Sequence, residues 1–124
     1  AAAFTRAFGV TAPPVRSLTQ IDAWPDGFTG DRGAGVRTTE IRANGVEMHV
    51  LQPLGGKSPW RDDLERQGDG ALQHVSFGVT DLAGAVAALQ KLGGTVTAGH
   101  PSSFFAYVRL PGLPFAIELE KMGR

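Results

Sequence analysis

The stretch that most constrains the fold runs from Leu72 to Gly94, because it predicts a strand that leads directly into a helix. From Val75 to Val79, apolar residues alternate with small or polar ones, as in a strand with one buried face. Thr80-Asp81 then supplies a helix N-cap, and Gly93-Gly94 is a typical helix end. Between them lie apolar residues at helical spacing, namely Leu82, Val86, Leu89 and Leu92.

His74 stands at the start of this predicted strand, on the face opposite to its apolar residues. A histidine in that place can be a metal ligand or a strand residue that hydrogen-bonds to a backbone carbonyl. The strand pattern alone leaves both interpretations open. An internal repeat in the chain, described below, favours the ligand.

Composition excludes several classes of function. The 124 residues suffice for one domain, and Lys+Arg and Asp+Glu number 12 each without a block of like charge, which argues against nucleic acid or an anionic membrane as partner. The chain has no cysteine, so disulfides and thiolate metal sites are excluded. It has no apolar run of membrane-span length, and its first residues lack the features of a signal peptide. We therefore predict a cytoplasmic protein whose partner is neither nucleic acid nor a membrane.

The other segments complete a simple order of elements. The sequence predicts a helix, three strands and a short helix before the Leu72–Gly94 stretch, and three strands after it. Asn44-Gly45 is typical of a type I′ hairpin turn, Ser58-Pro59 of a helix start, and Trp24 to Gly35 of a loop. The predicted helices are 1–8 and 58–67, and the predicted strands are 15–23, 36–43, 46–52, 95–98, 104–110 and 113–120.

This order contains a weak internal repeat. Residues 72–124 predict a βαβββ unit, and residues 1–56 predict the same unit without its first strand, with 57–71 as a connecting helix and turn. The five residues from Val46 to Val50 align with those from Phe115 to Leu119, which makes His49 and Glu118 equivalent. We predict an α+β fold of one domain, with helices outside a curved mixed sheet.

The repeat also predicts a strand that is missing from unit one. His74 precedes Gly93 by 19 residues. The same interval counted back from Gly9 falls about ten residues before Ala1. We expect the first strand, with an equivalent of His74, in an upstream segment.

The segment HVSFGVTDL, placed at the start of a βαβββ unit, resembles the vicinal oxygen chelate superfamily. This group contains glyoxalases, bleomycin-resistance proteins, extradiol dioxygenases and methylmalonyl-CoA epimerases. The part from Val46 to Gly93 is most similar to the epimerases, with a Ser-Pro helix start, a Gly-rich turn and a histidine-led strand. The resemblance implies two βαβββ units that form a cup around one divalent metal.

Carried over to this chain, the family's metal ligands are His49, His74 and Glu118, with a fourth in the unseen upstream segment. Imidazole and carboxylate ligands suit Zn, Co, Ni, Mn or Fe. Glu120 lies two residues beyond Glu118 on the same strand face and competes with it, but Glu118 is the one that aligns with His49. No other cofactor is implied.

The resemblance further implies an epimerase or isomerase that stabilises an enolate of an acyl-CoA-like substrate. Glu118 and Glu40 are the candidates for the catalytic base, since the strand of Glu40 neighbours that of His49 across the Asn44-Gly45 turn. A glyoxalase-type lyase and a metal-free drug-binding protein remain as alternatives, although the latter would be expected to lose the ligand set. The aromatic residues of one predicted strand belong either to the substrate cup or to the core, namely Phe104, Phe105 and Tyr107.

We also expect a homodimer. A unit without its leading strand exposes an unpaired sheet edge, and such edges invite pairing with another chain. Most members of the family dimerise as well.

Overall fold

The computed structural model of the protein describes residues 2–11, 13–18, 30–31, 33–43, 45–100 and 102–123. Part of the first predicted strand, most of the loop from Trp24 and residue Asn44 of the predicted turn lie outside these ranges. The described elements are α1 (Ala2–Phe8), β1 (Arg16–Leu18), β2 (Gly35–Ala43), β3 (Val46–Leu54), α2 (Pro59–Gln67), β4 (His74–Val79), α3 (Leu82–Lys91), β5 (Thr95–Gly99), β6 (Phe105–Arg109) and β7 (Ala116–Lys121).

The strands form two sheets, one in each half of the chain. The first is antiparallel with the order β1-β2-β3, and the second has the order β4-β7-β6-β5. In the second sheet β4 runs parallel to β7, whereas the other pairs are antiparallel, so that this sheet is mixed. The order of β1, β2 and β3 repeats that of β5, β6 and β7, and the predicted α+β fold is confirmed.

One face of the second sheet is covered by α3. The helix starts at Asp81, whose carboxylate accepts a hydrogen bond from the Gly84 N–H at 2.9 Å, as an N-cap residue should. Phe77, which the alternation predicts to be buried, is 52% exposed. The reason is that α3 packs against β5, β6 and β7, whereas β4 lies at the edge of the sheet. The core under α3 consists of Leu82, Val86, Ala106, Val108 and Leu119.

The start of α2 follows the sequence signals. Ser58 is fully buried, and its hydroxyl accepts a hydrogen bond from the Arg61 N–H at 3.2 Å, with Pro59 at the first helical position. The helix buries Trp60 and Asp63 towards the rest of the protein. Among the described residues, no helix has both the length and the apolar character that crossing a membrane requires.

A second core cluster joins the two sheets. Val36 of β2, partly buried Leu51 of β3 and Trp60 of α2 pack with Ala98, Tyr107 and Ala116 of the second sheet. Neighbouring residues on paired strands share a face, so the face of Val36 and Leu51 also carries Glu40 and His49. In the same way, the face of Ala116 carries His74 and Glu118. The two polar sets therefore lie on the sheet faces that the shared core brings together.

Candidate metal centre

His74 and Glu118 form the closest contact among the predicted site residues. Their side chains are 11% and 10% exposed, and His74 Nε2 lies 3.3 Å from Glu118 Oε2. The parallel pairing of β4 with β7 sets His74 opposite Ala116 and Ser76 opposite Glu118, so the two side chains lean towards each other along one face. A buried imidazole beside a buried carboxylate is the kind of pair that binds a divalent cation.

His49 lies nearby, on the last strand of the first sheet. Its Nε2 is 2.7 Å from Glu47 Oε1, and it is paired across the hairpin with Glu40. Within the described ranges, one group of three His, Asp or Glu side chains has ligand atoms that all lie within 4.8 Å of one another, namely Glu40, Glu47 and His49. His49 is also close enough to lower the pKa of His74 by its charge. Of the predicted ligands, His74 and Glu118 therefore contact each other, whereas His49 contacts Glu47 and does not complete a group of three with them within 4.8 Å. The set of three stays a prediction.

The surroundings of His74 favour its neutral form. Burial is the main cause that lowers its pKa to about 4, and the charge of His49 acts in the same direction. The carboxylates of Glu120 and Asp63 oppose this shift, with smaller effects. A neutral imidazole keeps a lone pair on one nitrogen, which is the form that ligates a metal.

Tyr107 connects this pair to the core. It lies opposite Glu118 on the paired strand, and its ring meets that of His74 edge-on with the centroids 5.1 Å apart. Burial, followed by the neighbouring charge of Glu118, raises the pKa of Tyr107 well above its ordinary value. The ring of Trp60 stands edge-on to that of the same tyrosine, with the centroids 6.2 Å apart. Tyr107 therefore belongs both to the core and to the site.

The two remaining carboxylates differ in their surroundings. Glu120 is exposed as a residue, but its carboxyl group is partly shielded from water. This shielding and the charge of Glu118 raise the pKa of Glu120. Glu40 is 41% exposed at its side chain and lies 3.8 Å from Arg42. It borders an open cavity of about 330 Å³ that Val10 and Pro13 also line. Of the two predicted bases, Glu118 is thus the buried one and Glu40 the accessible one.

Gln73 contacts the Nδ1 side of His74 and is itself held by Asp63, a role that the sequence does not indicate for either residue. His74 Nδ1 is 2.5 Å from Gln73 Oε1, and Gln73 Nε2 donates to Asp63 Oδ2 at 2.7 Å. The other oxygen of Asp63, which is only 4% exposed, meets the guanidinium groups of Arg66 and Arg109. An aspartate in the first turns of a helix is usually explained by its favourable interaction with the helix dipole. The sequence around Asp63 therefore does not indicate that it holds Gln73.

The distance between His74 Nε2 and Glu118 Oε2 would allow these two atoms to bind one cation. If Nδ1 of His74 carries the hydrogen and donates it to Gln73, the lone pair of Nε2 faces Glu118 Oε2, and two acceptors then lie 3.3 Å apart. Such a contact is unfavourable unless a proton or a cation lies between the two atoms. The nitrogen and oxygen donors of His49, His74 and Glu118 match the preferences of Zn, Co, Ni, Mn and Fe.

The family model described as Glyoxalase/Bleomycin resistance protein/Dioxygenase superfamily matches residues 1–107. The match includes His49 and His74 and ends before β7, the strand that carries Glu118. None of the curated proteins matches the chain.

Proposed function

Because the chain belongs to the glyoxalase/bleomycin resistance/dioxygenase superfamily, we propose that it is a metal-dependent epimerase or isomerase of an acyl-CoA-like substrate. The contact of 3.3 Å between the side chains of His74 and Glu118, which are only 11% and 10% exposed, is the observation that carries this proposal. A divalent metal held by His49, His74 and Glu118 would supply Lewis-acid stabilisation of the negative charge on substrate oxygens as a proton leaves the adjacent carbon.

The protein's own groups account for the proton transfers. Glu118 stands on β7 of the second sheet and Glu40 on β2 of the first, and the shared core brings these two faces together. A carboxylate on each side suits an epimerisation, in which one base removes the α-proton and the other returns a proton to the opposite face of the carbon. Glu40 is accessible enough to exchange its proton with water. The buried rings of Trp60 and Tyr107 would keep water from the inner end of the site.

The variant Glu40→Gln tests this two-base scheme. We expect epimerisation of a 2-methyl-branched acyl-CoA to fall by about 10²- to 10⁴-fold, because one of the two proton carriers is removed. Exchange of the α-proton with solvent deuterium should persist for one enantiomer, since Glu118 remains. Mass spectrometry of each enantiomer after incubation in deuterium oxide separates these effects.

Glu65→Gln is the matched control, because Glu65 is an exposed carboxylate on α2 away from the site. It should leave both rates unchanged. Wild-type epimerisation rates in Glu40→Gln would contradict the two-base scheme. Turnover of an α-ketoaldehyde thiohemiacetal, with no exchange at an acyl-CoA, would instead identify a glyoxalase-type lyase. A wild-type protein without metal and without either activity would favour a binding protein.

We also propose that the protein forms a homodimer, through the outer edge of β4 in the second sheet rather than through the edge of the first sheet that the missing strand leaves unpaired. This strand pairs with β7 on one side, and in the described part of the chain no strand pairs with its other edge. The side chains of Leu72, Phe77 and Met122 on or near this edge strand are 55%, 52% and 60% exposed. An unpaired edge with exposed apolar side chains favours association with a second copy.

Phe77→Lys should weaken this dimer and raise its dissociation constant by more than about tenfold, since a charge would replace a large apolar contact. Sedimentation velocity across micromolar concentrations measures the change. Leu92→Lys is the control, because Leu92 is 70% exposed at the end of α3. A wild-type protein that sediments as a monomer throughout would refute the dimer.

A further inference from the structure

We infer that Gln73 and Asp63 are positioning residues that hold His74 in the tautomer whose Nε2 lone pair faces Glu118. The inference rests on the proposed metal-dependent function only for the use of that lone pair. The tautomer itself follows from the contacts behind His74 and can be measured without metal.

The first step concerns the orientation of the Gln73 amide. Asp63 Oδ2 lies 2.7 Å from Gln73 Nε2, and a carboxylate offers only acceptors. The NH₂ group of Gln73 therefore has to face Asp63, which directs its carbonyl oxygen at His74. Arg66 and Arg109 contact the other oxygen of Asp63 and keep the carboxylate in place.

The second step concerns the proton on His74. Its Nδ1 lies 2.5 Å from Gln73 Oε1, a distance at which two acceptors would repel each other strongly. Nδ1 therefore carries the hydrogen, and in the neutral ring the lone pair is on Nε2. That nitrogen is the one that lies 3.3 Å from Glu118 Oε2. The contact at Nδ1 thus leaves the lone pair of Nε2 available to bind a metal.

The competing tautomer would donate from Nε2 to Glu118. It would then leave the Nδ1 lone pair facing the Gln73 oxygen at 2.5 Å. This repulsive contact would be shorter than the 3.3 Å contact between Nε2 and Glu118 that the tautomer improves. For the amide to turn and relieve this contact, Gln73 would have to give up its hydrogen bond to buried Asp63. In many proteins, a hydrogen-bond partner on the nitrogen away from the metal sets the tautomer of a metal-binding histidine in this way.

Asp63 also ties α2 to β6 through Arg109, so a loss of stability alone would not establish the positioning role. The experiment therefore reads the tautomer directly, from the ¹⁵N chemical shifts and two-bond couplings of the His74 ring in metal-free, ¹⁵N-labelled protein. We expect the Nδ1–H form in the wild type. In Gln73→Leu we expect a shift towards the Nε2–H form, which neutral imidazole side chains adopt when no partner selects the tautomer.

Gln67→Leu is the matched control. Gln67 also donates a side-chain hydrogen bond across the structure, to the Pro114 carbonyl at 3.0 Å, but it does not contact His74. This variant should leave the His74 spectrum unchanged. Gln73→Met, which keeps the length of the side chain, replaces Gln73→Leu if the latter does not fold.

The consequence for metal binding is measured by calorimetric titration with Co²⁺. Gln73→Leu should raise the dissociation constant for Co²⁺ by about 10- to 100-fold, because a metal-binding histidine loses the group that hydrogen-bonds to its other nitrogen. An Nε2–H tautomer in the wild type, or an unchanged tautomer in Gln73→Leu, would overturn the inference. A wild type in the Nδ1–H form that binds no Co²⁺ would support the positioning role and contradict the proposed function.

Discussion

Replacing His74 with alanine is expected to abolish stoichiometric metal binding and, with it, the proposed activity. The imidazole supplies a nitrogen donor 3.3 Å from Glu118 Oε2, and alanine has no atom that could take its place. Removal of the ring leaves Glu118 without this partner in a buried place, so we also expect a loss of stability of about 1–3 kcal/mol. Elemental analysis after dialysis against Zn²⁺ or Co²⁺ measures metal content, and thermal unfolding measures stability.

His100→Ala is the control for this substitution. His100 lies in an exposed turn, where its ring contacts Ser102, and no observation places it near the site. This variant should retain the wild-type metal content. Retention of one metal per chain by folded His74→Ala protein would refute the assignment of His74 as a ligand.

Glu118→Gln should cause the second large effect, a fall in turnover of about 10²- to 10⁴-fold. The amide keeps the shape of the side chain and one acceptor oxygen. It removes the negative charge, and with it both a metal ligand and a base. The fold should therefore survive while the chemistry is lost. Metal titration on the same preparation measures the loss of the metal ligand, and steady-state kinetics at saturating metal measures the loss of the base.

Glu120→Gln provides the comparison, because Glu120 lies on the same strand face two residues further along β7 but is exposed. We expect a much smaller effect from this change. If Glu120→Gln abolished turnover while Glu118→Gln did not, the two glutamates would have to exchange roles.

Much of the local structure could be predicted from the sequence. The helix starts at Ser58 and Asp81 are confirmed, because an N-cap depends on a side chain and a backbone N–H only three residues away. Gly9 and Gly93, at the predicted ends of α1 and α3, adopt positive φ values of 63° and 86°, which glycine tolerates best. The hairpin of β2 and β3 is confirmed over the described residues.

The sequence by itself also determined the order of the elements and the strand face on which His49, His74 and Glu118 lie, since alternation and repeat spacing are properties of neighbouring residues. Only the tertiary structure decided which of these side chains meet. Sliding β4 by two residues along β7 would preserve every alternation and yet bring a different residue opposite Ser76. Likewise, the position of β4 at the sheet edge exposes Phe77, and the docking of α2 brings Asp63 to Gln73. These contacts join distant parts of the chain, and their free energy depends on packing that a local pattern does not contain.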